Sequence, residues 1–158
     1  MKKIYDRISA GGLVYKKNHS VIYFVLCYKN KTNRWHLPKG TQEFNESICN
    51  TAIREVKEET GLEVKIKVFL SNIYYKFIDN QNNMLNKKVA FYIMEAIDGS
   101  FKNHDKEFDK IIWADSNEAI KLLNKWACQN NYNFNRVKLL CGLIYLNIAP
   151  LHHYPYSI

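Results

Sequence analysis

Three glutamates stand close together near the middle of the chain, at Glu55, Glu58 and Glu59. On an α-helix, positions i, i+3 and i+4 lie on one arc of the surface, so the three carboxylates would face one point. Because hard cations prefer carboxylate oxygens, and the cluster has no His or Cys, this spacing indicates a magnesium site, with manganese as a substitute. The alternative is an ordinary solvated acidic face. Arg54, four residues before Glu58, either restrains that carboxylate or forms a surface ion pair.

The segment that carries these glutamates has the pattern of an amphipathic helix. Apolar and small side chains recur at helical spacing at Cys49, Ala52, Ile53, Val56 and Thr60. Asn45 is the predicted N-cap, and Gly61 supplies a left-handed end. On the helical wheel the acidic arc borders the apolar stripe, so we expect Glu55 and Glu59 at the edge of the core.

Strands and further helices surround this helix in the sequence. β-rich runs at 8–15 and 21–28 predict a hairpin, and longer runs at 64–78 and 88–96 are joined by a polar turn at 79–86. A short strand is predicted at 111–114. Asp115 or Ser116 then caps a helix that turns Ala119, Leu122, Leu123 and Trp126 toward the core, and a last helix is predicted at 137–148, ending near Pro150. This mixture indicates an α/β protein.

Size and composition restrict the class of protein. The chain has 158 residues, 47% of them hydrophobic, which suits one domain with a packed core. Its net charge of +8 attracts polyanions without choosing among nucleic acid, acidic lipid and free polyphosphate. The apolar run 21–28 is too short to cross a bilayer, and no signal peptide follows Met1, so we expect no membrane partner and a cytoplasmic location.

The four cysteines, Cys27, Cys49, Cys128 and Cys141, are far apart in the sequence. No two of them stand at metal-ligand spacing, so zinc is not indicated. We expect all four to be buried free thiols.

The segment 40–62 resembles the Nudix box, the motif of the Nudix hydrolases. Gly40 is followed after five residues by Glu46 and after seven more by the run Arg54-Glu55-Val56-Lys57-Glu58-Glu59-Thr60-Gly61-Leu62, which matches every specified position. The resemblance implies a Nudix-type α/β/α sandwich with a mixed β-sheet. It also implies one domain over 1–158, with a C-terminal tail at about 150–158, and magnesium-dependent hydrolysis of a phosphoanhydride bond.

The same resemblance assigns roles to individual residues. Glu58 and Glu59 are expected to be the principal metal ligands, Glu55 a ligand or base, and Gly40 a ligand through its carbonyl. Glu46 and Arg54 match positions that support the loop and helix.

One further carboxylate is expected from a later loop. Glu107 resembles the additional metal ligand of dinucleoside polyphosphate hydrolases. Asp105 and Asp109 lie beside it, and an ordinary solvated loop residue is the alternative.

Other segments resemble the branch that cleaves diadenosine tetraphosphate asymmetrically, to ATP and AMP. They are Ser9-Ala10-Gly11-Gly12, the approach 34–40 and the run 87–95. The basic residues expected to bind outer phosphates are His36, Lys39 and Lys87, and the aromatic residues expected to stack on adenine are Tyr74, Tyr75 and Tyr92. The alternative for the tyrosines is the core. Phe44-Asn45 departs from the Pro-Gly of many relatives, which puts the loop geometry in question.

Several other functions compete with this one. The diphosphoinositol polyphosphate hydrolases share the Gly-Gly opening and the Pro-Lys-Gly approach, and are the main alternative. Removal of pyrophosphate from RNA 5′ ends, which would make nucleic acid a substrate, and cleansing of oxidised nucleotides rank lower. The ADP-ribose branch is disfavoured because no proline lies between Pro38 and Pro150. A non-enzymatic RNA-binding module is disfavoured by the intact acidic set.

Overall fold

A mixed β-sheet forms the centre of the computed structural model, which describes residues 5–129 and their side chains as far as residue 123. The strands are β1 (Arg7–Asn18), β2 (Val21–Lys29), β3 (Arg34–His36), β4 (Lys39–Thr41), β5 (Leu62–Ile78), β6 (Met84–Gly99) and β7 (Lys110–Asp115). The helices are α1 (Ile48–Thr60) and α2 (Ser116–Gln129). Within the described residues, no helix is both long and apolar enough to cross a membrane.

The strand order is β3-β2-β1-β6-β5, with β4 paired to β1 and β7 paired to β2. β1 and β6 run parallel, from Arg7 opposite Lys87 to Tyr15 opposite Glu95, whereas the other pairs are antiparallel. The predicted mixed sheet is therefore confirmed. β4 lies against the first half of β1, with Gly40 opposite Ala10, and this pairing brings the start of the 40–62 segment to the middle of the sheet.

Each face of the sheet is covered by one helix. Side chains of β1 alternate between the two faces, as expected for a strand with both faces buried. Leu13 packs in a cluster with Leu123 of α2, and Val14 packs in a second cluster with Val56 of α1. The order of layers is helix, sheet, helix, so the predicted α/β architecture is confirmed.

Helix α1 begins later than predicted. Its N-cap is Ser47, whose Oγ accepts a hydrogen bond from Asn50 N at 3.1 Å, so the prediction of Asn45 was wrong. Asn45 has a φ of 61° and belongs to the preceding turn. Cys27 is buried as expected, but the expectation for Cys49 was wrong: it is exposed, with its Sγ donating to Tyr92 OH at 3.5 Å. The end at Gly61, with a φ of 73°, is as predicted.

The remaining differences concern short or flanking segments. β6 begins at Met84 rather than at 88, because Asp79 Oδ1 accepts hydrogen bonds from Gln81 N and Asn83 N and closes a shorter turn. β3 and β4 were not predicted, since three residues each are too few to show alternation. The cap of α2 was predicted correctly, with Glu118 N donating to Asp115 Oδ1 at 2.9 Å. The described residues do not include the predicted helix at 137–148 or Cys141. Trp126 and Cys128 lie beyond the last described side chain.

Candidate active site

Helix α1 presents its three glutamates at very different depths. The Glu58 side chain is 50% exposed and that of Glu55 is 13% exposed. Glu59 is 2% exposed and borders the cluster that packs beneath α1. The helix therefore holds one exposed and two largely buried carboxylates along a single edge, as the helical wheel predicted.

Glu59 is a buried carboxylate with a backbone donor. Its Oε2 accepts a hydrogen bond from Lys39 N at 2.6 Å, which ties α1 to β4. Burial raises the pKa of Glu59 to about 8, and the nearby Lys39 charge only partly opposes that rise. Glu107 and Glu55 add to the rise in pKa, so all three carboxylates lie within electrostatic reach of one another. A desolvated carboxylate beside others favours a cation at this point.

Arg54 connects three of the acidic side chains. Its Nε donates to Glu46 Oε1 at 2.8 Å, and its Nη1 donates to Glu55 Oε1 at 2.9 Å and Glu58 Oε2 at 3.0 Å. Its Nη2 donates to Thr41 O at 3.1 Å. The hydrogen bond to Glu46 is the main cause of the raised pKa of Arg54. The sequence predicted contact with Glu58 alone, and the structure makes Arg54 the link between the helix and the preceding loop.

The loop before α1 is a defined turn despite its unusual sequence. Glu46 N donates to Glu43 O at 3.3 Å, and Asn45 adopts the left-handed conformation that Gly and Asn accept most readily. Glu46 Oε2 also accepts from Thr51 Oγ1 at 2.7 Å. The hydrogen bonds from Arg54 and Thr51 lower the pKa of Glu46 to about 2. The segment Phe44-Asn45 therefore forms a closed turn, which Glu46 ties to α1.

Gly40 lies directly against Glu55. A Cβ atom at Gly40 would collide with the Glu55 carboxylate, so any larger residue there would displace that side chain. This close approach brings the backbone of β4 and a carboxylate of α1 to one place, as the box resemblance implies.

A second group of predicted site residues lies around these acids. Lys39 and Glu107 both affect the pKa of Glu59, His36 and Lys87, so the five residues share one neighbourhood. Burial is the main cause that lowers the pKa of His36 to about 4, which leaves its ring neutral at pH 7. Burial also lowers the pKa of Lys87.

Two basic residues of this neighbourhood were missed in the sequence. Lys29 Nζ forms an ion pair with Glu107 Oε1 at 3.2 Å, and Arg7 lies opposite Lys87 in the parallel ladder. No pattern in the neighbouring sequence marks either residue, because each reaches the site through contacts between segments far apart in the chain.

The three predicted tyrosines occupy different environments. Tyr75 is half-buried beside Phe77 and lies opposite Lys87 in the β5–β6 ladder. Tyr74 points to the other face of the hairpin, 51% exposed, and stacks on Tyr5 with centroids 5.3 Å apart. Tyr92 is only 8% exposed, in the cluster beneath α1. Of the three, Tyr75 lies beside Lys87 and packs against the cluster on the α2 face, whereas Tyr92 lies in the core beneath α1.

The carboxylates do not converge on a single point in this conformation. Within residues 5–129, no three His, Cys, Asp or Glu side chains are grouped closely enough to hold a metal ion. The reason is that Arg54 engages Glu55 and Glu58, and Lys29 engages Glu107. Cation binding there would compete with these ion pairs.

Residues 6–135 of the chain match the family model of the NUDIX domain. The chain belongs to the NUDIX family. A Mycobacterium tuberculosis relative described as a mutator protein is 37% identical over 79 residues, which are 50% of this chain and 32% of that protein. The ADP-ribose pyrophosphatase of Methanocaldococcus jannaschii is 27% identical over 106 residues, which are 65% of this chain and 58% of that protein. The chain thus spans less than two thirds of the length of either relative.

Solved NUDIX structures share the fold. The Ap4A hydrolase of C. elegans, solved as a binary complex, superposes with a TM-score of 0.65 at 21% identity, covering 89% of this chain and 98% of that one. A NUDIX hydrolase from Nitrosomonas europaea superposes with a TM-score of 0.61 at 15% identity, covering 96% and 97%. At these identities the likeness establishes the NUDIX fold.

Proposed function

We propose that this protein is a magnesium-dependent pyrophosphohydrolase that cleaves a phosphoanhydride bond in a nucleoside-linked polyphosphate. The favoured substrate is diadenosine tetraphosphate, cleaved to ATP and AMP. The observation that carries the proposal is the acidic edge of α1, where buried Glu59 is bonded to the backbone of β4 within a complete NUDIX motif.

The residues present suit a divalent cation. All donors at the site are oxygens, the type that magnesium and manganese prefer. Gly40 has no Cβ, so the Glu55 carboxylate can approach the backbone of β4, and burial makes an uncompensated charge on Glu59 unfavourable. The groups that would hold the metal are the carboxylates of Glu55, Glu58, Glu59 and Glu107 and the carbonyl of Gly40. Bound magnesium would neutralise phosphate charge and lower the pKa of a coordinated water.

Other residues of the chain are proposed to bind the substrate and to pair with the carboxylates. Lys39 and Lys87 supply positive charge for the outer phosphates, and half-burial strengthens that attraction. His36, neutral at pH 7, donates one hydrogen bond without repelling Lys39. Arg54 pairs with Glu58 and Glu55 at the edge of the helix, so it compensates their charge until a cation takes its place.

A dinucleoside substrate is favoured by the aromatic side chain that accompanies the basic residues. Tyr75 lies opposite Lys87 in the ladder, so a base stacked there would leave its phosphates beside the lysines. Diphosphoinositol polyphosphates and RNA 5′ ends remain the alternative substrates, and a binding module without turnover is the alternative from another class.

A substrate panel tests this proposal. Purified protein with magnesium would be offered diadenosine tetraphosphate, diphosphoinositol phosphates and triphosphorylated RNA, and the products would be identified by chromatography. We expect ATP plus AMP from the first to form fastest. Glu58→Gln should abolish that release, whereas Glu63→Gln, which alters a surface partner of Lys57, should leave it unchanged. Faster hydrolysis of the diphosphoinositol phosphates would make them the favoured substrate in place of diadenosine tetraphosphate. Binding of RNA without any turnover would show a binding module and not an enzyme.

Glu107 provides a separate test of the proposed metal set. We expect Glu107→Gln to reduce turnover at saturating magnesium by about a hundredfold, because a ligand carboxylate would be lost. Glu95→Gln is the matched control, since Glu95 also pairs with a surface lysine, at 3.1 Å from Lys67. If Glu107→Gln stays within a few-fold of wild type, Glu107 is an ordinary loop residue.

A further inference from the structure

A cavity of about 530 Å³ opens beyond the C-terminal end of α1, where Leu62 is part of its lining. Its walls come from the ends of β1 and β6, the segment that follows β6, and β7. Lys16, which lines it, lies six residues along β1 from the partner of Gly40, or about 20 Å at 3.3 Å per residue. The volume is in the range of small-molecule sites.

One wall of the cavity is aromatic. Phe101 stacks on Trp113 with ring centroids 5.5 Å apart and an angle of 27° between the planes. Both rings are half-buried and pack against the cluster beneath α1, and each keeps part of its apolar surface toward the cavity. The aromatic surface that this pair leaves toward the cavity suits a planar ligand group.

The charge of the cavity is positive. Lys16 Nζ lies 4.3 Å from the centroid of the Trp113 ring, which holds the ammonium beside the aromatic wall. Lys102 also lines the cavity, and within residues 5–129 neither lysine forms an ion pair. Asp98 is the acidic residue of the lining, and its Oδ1 already accepts from Gly99 N at 2.7 Å. An anion is therefore attracted to this wall.

We propose that this cavity is a second ligand site, which binds a nucleoside monophosphate through its base on the Phe101–Trp113 wall and its phosphate on Lys16 and Lys102. The site is separate from the proposed hydrolytic site and does not depend on it. The segment beside the cavity is bonded to the end of α1, with Ser100 N donating to Gly61 O at 3.1 Å. A molecule bound in the cavity would therefore contact a segment that is hydrogen-bonded to the end of the helix that carries the glutamates.

Calorimetric titration with AMP in EDTA tests the site, because removing divalent ions prevents metal-mediated binding at the glutamates. We expect saturable binding that the double variant Lys16→Gln and Lys102→Gln weakens by about tenfold or more, since charge-assisted hydrogen bonds are lost. Lys17→Gln removes an exposed neighbouring charge and should change the Kd by less than about twofold. Lys39→Gln, at the proposed hydrolytic site, should also leave this binding intact.

Inorganic phosphate and adenosine separate the two halves of the proposed ligand. Each is expected to bind more weakly than AMP, because each engages one wall only. The proposal is overturned if AMP shows no saturable binding up to about 5 mM, the weak limit for a specific small ligand. It is equally overturned if the double variant binds AMP as wild type does, if Lys39→Gln abolishes binding, or if phosphate alone binds as tightly as AMP.

Discussion

Glu59→Gln is expected to reduce turnover by about a thousandfold at saturating magnesium, because it removes a metal-binding charge from the centre of the site. The amide keeps the size of the carboxylate, and its oxygen can still accept the hydrogen bond from Lys39 N. The substitution therefore removes charge without removing the link between α1 and β4. Steady-state hydrolysis of diadenosine tetraphosphate measures the loss.

The same variant should be no less stable than wild type, which separates a functional role from a structural one. The pKa of Glu59 is raised from 4.5 to about 8, so the folded protein binds the proton more tightly than the unfolded chain. That contribution to stability is complete below pH 4.5 and is lost as pH rises through 8. Without divalent ions, Glu59→Gln should match wild type near pH 4.5 and melt at a higher temperature above pH 8. A lower melting temperature at both pH values would show that Glu59 is structural.

Arg54→Met should have the largest effect on stability. The Arg54 side chain is 24% exposed and serves two carboxylates, Glu46 and Glu55, that are each 13% exposed. Removing the guanidinium leaves both acids without their main partner, at a cost of about 3 kcal/mol, or about 8 °C in melting temperature for a chain of this size. Thermal unfolding followed by circular dichroism measures the change.

Lys57→Met is the matched control for Arg54→Met. Lys57 lies on the same helix and pairs with Glu63 at 2.6 Å, but the two side chains are 59% and 45% exposed. Solvent screens such a pair, so we expect less than about 0.5 kcal/mol. Equal losses in the two variants would mean that the Arg54 network does not support the fold.

The sequence was most informative where one element carried its own pattern. The helical spacing of Glu55, Glu58 and Glu59 predicted both the acidic edge and its border with the core, since helix geometry is local. Asn45 was misassigned as the cap because Asn suits both an N-cap and a left-handed turn position, and only the turn that Glu46 closes on Glu43 separates the two.

Contacts between distant segments were harder to predict. Arg54 was expected to meet Glu58 from their spacing, but its contact with Glu46 depends on how the preceding loop folds back. Lys29 meets Glu107 across 78 positions, and no local rule indicates such a pair. Tyr92 was grouped with Tyr75, although the alternation of β6 directs it into the cluster beneath α1.

A crystal structure with magnesium and a non-hydrolysable analogue of diadenosine tetraphosphate tests the central claim most directly. We expect at least one ion within about 2.1 Å of carboxylate oxygens of Glu58 or Glu59, in contact with the phosphates, and the Arg54 contact to Glu58 rearranged. Phosphates bound elsewhere, with no ion against either glutamate, would contradict the account.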